Sequence, residues 1–166
     1  MKLIQNRVIK QKCKTNEFVT RAYANDSDSE EFLVNGEDDL TDRYPPFSKD
    51  VMSTETYGGE GLDPAIASAF KFSKLEYDFD IEGKSGEYPA EGFIVDLPLD
   101  VDSFEEVFDK LEEAKWLDDQ TRVVTIAIVS YNYNIETYVL SMIAFEFNSG
   151  GGCYPSARHY PFRVSL

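Results

Sequence analysis

TRVVTIAIVSYNYNIETYVLSMIAFEF, residues 121–147, decides the fold. Thr121 to Tyr131 places Val123, Ala127 and Val129 on one face of a strand, with Val124, Ile126 and Ile128 on the other. Apolar residues on both faces predict a central strand covered on both sides. Thr137 to Phe147 predicts a second strand, with Val139, Ile143, Phe145 and Phe147 sharing a face. The spacer Asn132 to Glu136 is short enough for an antiparallel connection.

Working upstream, a helix precedes this pair. Phe104, Val107, Phe108 and Leu111 recur at helical spacing, Ala114 follows, and Glu106 and Lys110 form an i,i+4 pair. Ser103 reads as the N-cap, with Glu106 completing a capping box. Before the helix, Gly92 to Leu97 reads as a strand stopped by Pro98, Gly83 to Gly86 as a turn, and residues 70–81 as alternating aromatics. Leu3 to Lys10 reads as an opening strand. Thr15 is placed to cap a short helix with Phe18, Val19 and Tyr23 as its stripe. Residues 25–69 read as a long irregular region rich in acidic and turn residues. Downstream, Asn148 to Gly152 is a glycine turn, and Arg158 to Val164 a last strand that Pro161 assigns to an edge. The expected fold class is α+β, a mainly antiparallel sheet packed against helices, in one domain over 1–166.

Composition narrows the function. Sixteen Lys and Arg against 31 Asp and Glu give a net charge of −15 in 166 residues. That sign disfavours nucleic acid and anionic lipid headgroups and admits cations or basic partners. Twelve Phe, ten Tyr and one Trp are an aromatic surplus. No apolar run reaches the roughly 20 residues of a membrane helix, and the first residues lack a signal-peptide core. The expectation is a cytosolic chain or a piece of something larger.

Few motifs carry chemistry. His159 is the single histidine and sits in the edge strand, which disfavours a triad. Cys13 and Cys153 lack metal-ligand spacing and read as two unpaired thiols. Asp78, Asp80 and Glu82 followed by Gly83 begin like a calcium loop, but the twelfth position is Pro89, so they are weak metal candidates. Gly83-Lys84-Ser85 lacks the leading glycine of a phosphate loop, and Tyr57 to Gly61 lacks a dinucleotide-binding context. Adjacent acid pairs are expected from composition alone. Asn25-Asp26-Ser27 is a glycosylation sequon. No cofactor, metal or catalytic residue is selected.

The run Lys115-Trp116-Leu117-Asp118-Asp119-Gln120-Thr121-Arg122 is similar to a signature of the polycystin family of cation channels, in which a helix ends in Trp-Leu-Asp and Thr-Arg opens a long strand. Tyr131-Asn132-Tyr133-Asn134 resembles that family's strand end, Phe145 to Gly151 its Glu-Phe segment followed by a Gly-Gly turn, and Phe70-Lys71-Phe72 with Gly83 to Leu97, including Tyr88 and Gly92, the segment before the helix. The resemblance implies an extracellular or luminal domain between the first two membrane helices, at a cell-surface, ciliary or internal membrane. It implies that four copies contact one another above the pore, and a role in assembly and gating rather than catalysis. Tyr57, Tyr88, Tyr133, Tyr154 and Tyr160 would suit such an interface. The implied partners are copies of the same domain, related channel subunits and cations, with no nucleic acid. Many members of the family pair two early cysteines. Ala22 stands where the second is expected, which implies a free Cys13. A free-standing calcium-binding module and a mucolipin-like luminal domain are the alternatives.

Overall fold

The computed structural model describes residues 1–12, 42–43, 47–75, 80–84, 86–148 and 151–164. The helix expected after Thr15, the sequon at Asn25, Cys13, Ala22 and Asp78 lie outside these residues. Ten strands and one α-helix are present among them. The strands are β1 (Lys2–Arg7), β2 (Gln11–Lys12), β3 (Asp42–Arg43), β4 (Phe72–Lys74), β5 (Asp80–Glu82), β6 (Glu87–Pro89), β7 (Glu91–Asp96), β8 (Thr121–Asn132), β9 (Thr137–Phe147) and β10 (Cys153–Phe162); helix α1 is Val101–Glu113.

Six strands form an antiparallel sheet in the order β10-β9-β8-β1-β7-β4, while β2-β3 and β5-β6 are separate two-stranded ribbons. β7 and β8 flank β1, both antiparallel to it, so α1 carries the chain across one sheet face between them. On the helix side, Leu3, Phe93, Val95 and Val124 meet Leu111, Trp116 and Phe70. On the other, Ile4, Val123, Met142 and Ala144 lie under Ile81 and Tyr88 of the β5-β6 ribbon. The expectation of a sheet packed against helices is thus met on one face only. A β-ribbon covers the second face, and the architecture is β-rich.

Several expectations are corrected. Asp100, not Ser103, is the N-cap of α1: its carboxylate accepts the Ser103 N–H at 3.0 Å, and the helix begins one turn earlier. Phe108 does not join the buried stripe; it is exposed and stacks on Phe104, with ring centroids 5.8 Å apart. On β9 the most buried residues are Met142, Ala144 and Glu146, whereas Val139, Ile143, Phe145 and Phe147 on the opposite face are only half-buried. β8 is covered on both faces only over Thr121 to Thr125, and becomes exposed from Val129 onward. Over 47–69 the irregular region is tied down: Met52 bridges Val8, the Ser53 N–H reaches the Arg7 carbonyl at 2.8 Å, and Ile66 and Ala69 join the core.

The register fixes where the ends lie. Lys2 is level with Ala127 of β8, and β1 runs from there toward Thr121. Phe162, at the end of β10, is level with Tyr138, which faces Tyr131. β1 therefore starts and β10 ends toward the same end of the sheet, the end toward which the β8-β9 hairpin extends. Asn132 lies five residues past Ala127, so the hairpin reaches about 17 Å beyond the start of β1.

Candidate functional site

The two ends of the sheet carry different chemistry. At the end where β8 begins, the Trp116 to Arg122 motif builds a buried polar cluster. Helix α1 closes with the Lys115 N–H on the Glu112 carbonyl (3.0 Å) and the Trp116 N–H on the Leu111 carbonyl (2.9 Å), a double bond pattern that requires left-handed backbone at Lys115, φ 53°. This turn drives the Trp116 ring into the core, where its indole N–H donates to the Ala69 carbonyl at 2.9 Å. The Trp116 carbonyl accepts the Gln5 side-chain amide at 2.9 Å. The Tyr57 hydroxyl lies 2.6 Å from both that carbonyl and Gln5 Oε1. Gln5 also donates to Thr121 Oγ1 at 2.6 Å. Asp118 receives the buried Arg7 guanidinium, which also lies 3.4 Å from the Tyr57 ring centroid. Burial pushes the Tyr57 phenol well above its ordinary range, against the pull of Arg7. Arg122 donates to the carbonyls of Asp119 (3.0 Å) and Thr121 (2.8 Å). Leu117 and Asp119 are the exposed residues of the motif.

Gly92 has a steric role. A Cβ there would meet the Gln5 carbonyl oxygen of β1, so any side chain would push β7 off its neighbour. Asp80 and Glu82 do not converge on a common point: Lys49 Nζ is 3.2 Å from Asp80, and Arg158 pairs with Glu82. Among the described residues no group of three or more His, Cys, Asp or Glu could hold a metal ion. His159 sits exposed on β10, its Nδ1 2.9 Å from Ser141 Oγ. Cys153 is an exposed free thiol.

The sequence reading quoted Glu146 within the resemblance but assigned it no place in the core. Glu146 is 2% exposed in the middle of a sheet face, where its carboxylate accepts the Tyr88 hydroxyl at 2.7 Å and the Lys84 N–H at 2.6 Å. It clasps the β5-β6 ribbon to β9. Burial raises the Tyr88 pKa, and the bond to Glu146 raises it further. A lone acid in an apolar alternation, out of phase with the half-buried Phe145 and Phe147, was the available signal.

At the opposite end the β8-β9 hairpin is bare. Tyr131 meets Tyr138 at 4.6 Å between centroids and Tyr133 at 6.2 Å, and Tyr138 stacks on Phe162 at 5.5 Å. Tyr133 is 84% exposed, and Val129, Ile135, Tyr160 and Phe162 are exposed around it. The Asn132 side chain accepts the Asn134 N–H at 3.0 Å and shapes the turn. Of the five tyrosines expected at an interface, Tyr133, Tyr154 and Tyr160 are exposed. Tyr57 and Tyr88 are not available, because each spends its hydroxyl inside the fold.

The Polycystin domain family model matches residues 1–165. The chain belongs to that family. It is also 36% identical over 74 residues to human Polycystin-2-like protein 1, a stretch that makes up 45% of this chain and 9% of that protein. The chain therefore spans a small part of the length of this curated relative.

In this polycystin domain the signature divides by position. Trp116, Asp118 and Thr121 tie the end of α1 and the start of β8 to β1 at the covered end, Arg122 bonds carbonyls of its own turn, and Tyr131 and Asn132 shape the exposed end. No helix among the described residues is long and apolar enough to cross a membrane. The arrangement offers a rigid body and an apolar projection.

Proposed function

We propose that these residues form one domain on the extracellular or luminal side of a polycystin-type cation channel, where four copies assemble above the pore and transmit gating movements. The observation that carries this reading is the common end toward which β1 starts and β10 ends in a polypeptide matched by the Polycystin domain family over 1–165. A segment inserted between two membrane helices leaves and rejoins the bilayer on one face, so its two ends must lie together. The charge of −15 per copy agrees with a place at the mouth of a cation path, where it would raise local cation concentration within a screening length of about 8 Å. A glycan on Asn25 would fit the same side of the membrane.

The parent protein tests this. Cys153 is exposed and should react with a membrane-impermeant maleimide on the extracytosolic side of intact cells or sealed vesicles, with Cys153→Ser as the blank. Subunit counting by photobleaching of the same protein should give four. Labelling of Cys153 once the plasma membrane alone is permeabilised, with internal membranes sealed, and not before, would sink the reading, because only a cytosol-facing thiol behaves so.

A further inference from the structure

We propose that the tip of the β8-β9 hairpin, with the end of β10, rests in the interfacial layer of a phospholipid bilayer. The proposal takes its orientation from the channel reading above, since a domain whose start and finish face the membrane turns this same end toward it. Three observations carry it. The tip stands about 17 Å beyond the start of β1, outside the cover given by α1 and the β5-β6 ribbon. Its exposed large apolar side chains are Val129, Tyr131, Tyr133, Ile135 and Phe162, a mixture of aliphatic and aromatic groups interspersed with the exposed Ser130, Asn132, Asn134 and Glu136. Tyrosine rings place an apolar body and a polar hydroxyl at the boundary between acyl chains and headgroups. Finally, the acidity of the chain is absent here. Across residues 128–141 and 154–164 the charged groups are Glu136, Arg158 and Arg163, against −15 for the whole. The Arg163 guanidinium donates to Thr137 Oγ1 at 3.2 Å and to the Ile135 carbonyl at 3.4 Å, which holds a positive group beside the turn and within reach of lipid phosphate.

The hydrophobic contact, not charge, supplies the attraction, so zwitterionic phosphatidylcholine is the probe. Tyr133→Trp places a reporter at the tip, while Trp116, 3% exposed, stays buried as a constant background. With millimolar phosphatidylcholine vesicles the added emission should shift to the blue. Brominated acyl chains should quench it about twofold or more. Ile135→Ser with Phe162→Ser should weaken partitioning about tenfold or more at unchanged circular dichroism. Emission that ignores vesicles overturns the proposal, as does tip-dependent self-association in sedimentation without lipid binding, which would make a second copy the occupant. Binding that needs phosphatidylserine and survives the double substitution also overturns it. The vesicle result holds whether or not the chain serves a channel. An inward-facing Cys153 would remove the channel reading and leave this measurement standing.

Discussion

Asp100 sets where the helix starts, and the bonds that make it a cap also act on its titration. Hydrogen bonds from the Ser103 hydroxyl and then from the Ser103 N–H hold its pKa below the ordinary carboxylate range. A depressed folded pKa contributes stability that is complete above the unfolded value and is lost as pH falls through the folded one. Asp100→Ala should therefore lower the melting temperature at pH 7. The gap to the unaltered protein should begin to narrow near the unfolded carboxylate value of about 4 and close only as pH falls through the depressed folded pKa. A gap that persists in acid would assign the effect to something other than the cap. The sequence reading placed the cap at Ser103, three residues after the Asp100 that caps the helix. The Ser103/Glu106 pairing matched a capping box, but Val101 and Asp102 take helical backbone regardless, because the first turn needs no buried residue. The same limit applies to Tyr57 and Tyr88. Nothing local distinguishes a tyrosine whose hydroxyl bonds Gln5 or Glu146 from one at the surface, since those partners are 52 and 58 residues away.

The C-terminus of α1 shows what a single strained residue does for an element. Lys115 occupies left-handed backbone, which glycine takes freely and lysine does not. Glycine would normally stand here, yet the turn holds because it delivers Trp116 to the core and Asp118 to Arg7. Lys115→Gly should raise stability by about 0.5–1 kcal/mol, and Lys115→Val should lower it by about 1 kcal/mol. Urea midpoints at constant slope read both. Equal midpoints would show that the tertiary bonds of the turn, not its backbone preference, set its energy. The long elements were legible: β7, β8, β9 and all but the first turn of α1 lie where the sequence pattern placed them, because each repeats its pattern over several residues. β2, β3, β5 and β6 have two or three residues each and leave no period to read. The reading of Arg158 to Val164 as the last strand missed its first half, since β10 begins at Cys153 and tolerates Pro155. Pro155 and Pro161 share a parity, so both turn their missing N–H to the outer edge, where it costs no ladder bond.

At the scale of the molecule, stability runs along the sheet as a gradient. One end holds two cores, the Arg7-Asp118 pair and the Trp116 network; the other is a hairpin with solvent on both faces. The hydrogen-bonded ladder is continuous from Val123 opposite Glu146 to Asn132 opposite Thr137, so the bonds alone would predict even protection. Burial predicts otherwise, because an amide opens locally where few apolar contacts are lost on opening. The Tyr131, Tyr138 and Phe162 rings stack across three strands and delay fraying, with cross-strand pairs contributing about 0.2–1 kcal/mol each. That falls short of what closure of both cores contributes at Val124 and Thr125. Ladder amides over 129–132 should accordingly exchange about 100-fold faster than those over 123–125, once intrinsic rates are removed. Hydrogen exchange read residue by residue in the free chain measures this. Equal rates along the hairpin would mean that the aromatic stack makes the tip as rigid as the base. The tip would then meet whatever it touches as a preformed surface and not as one ordered on contact.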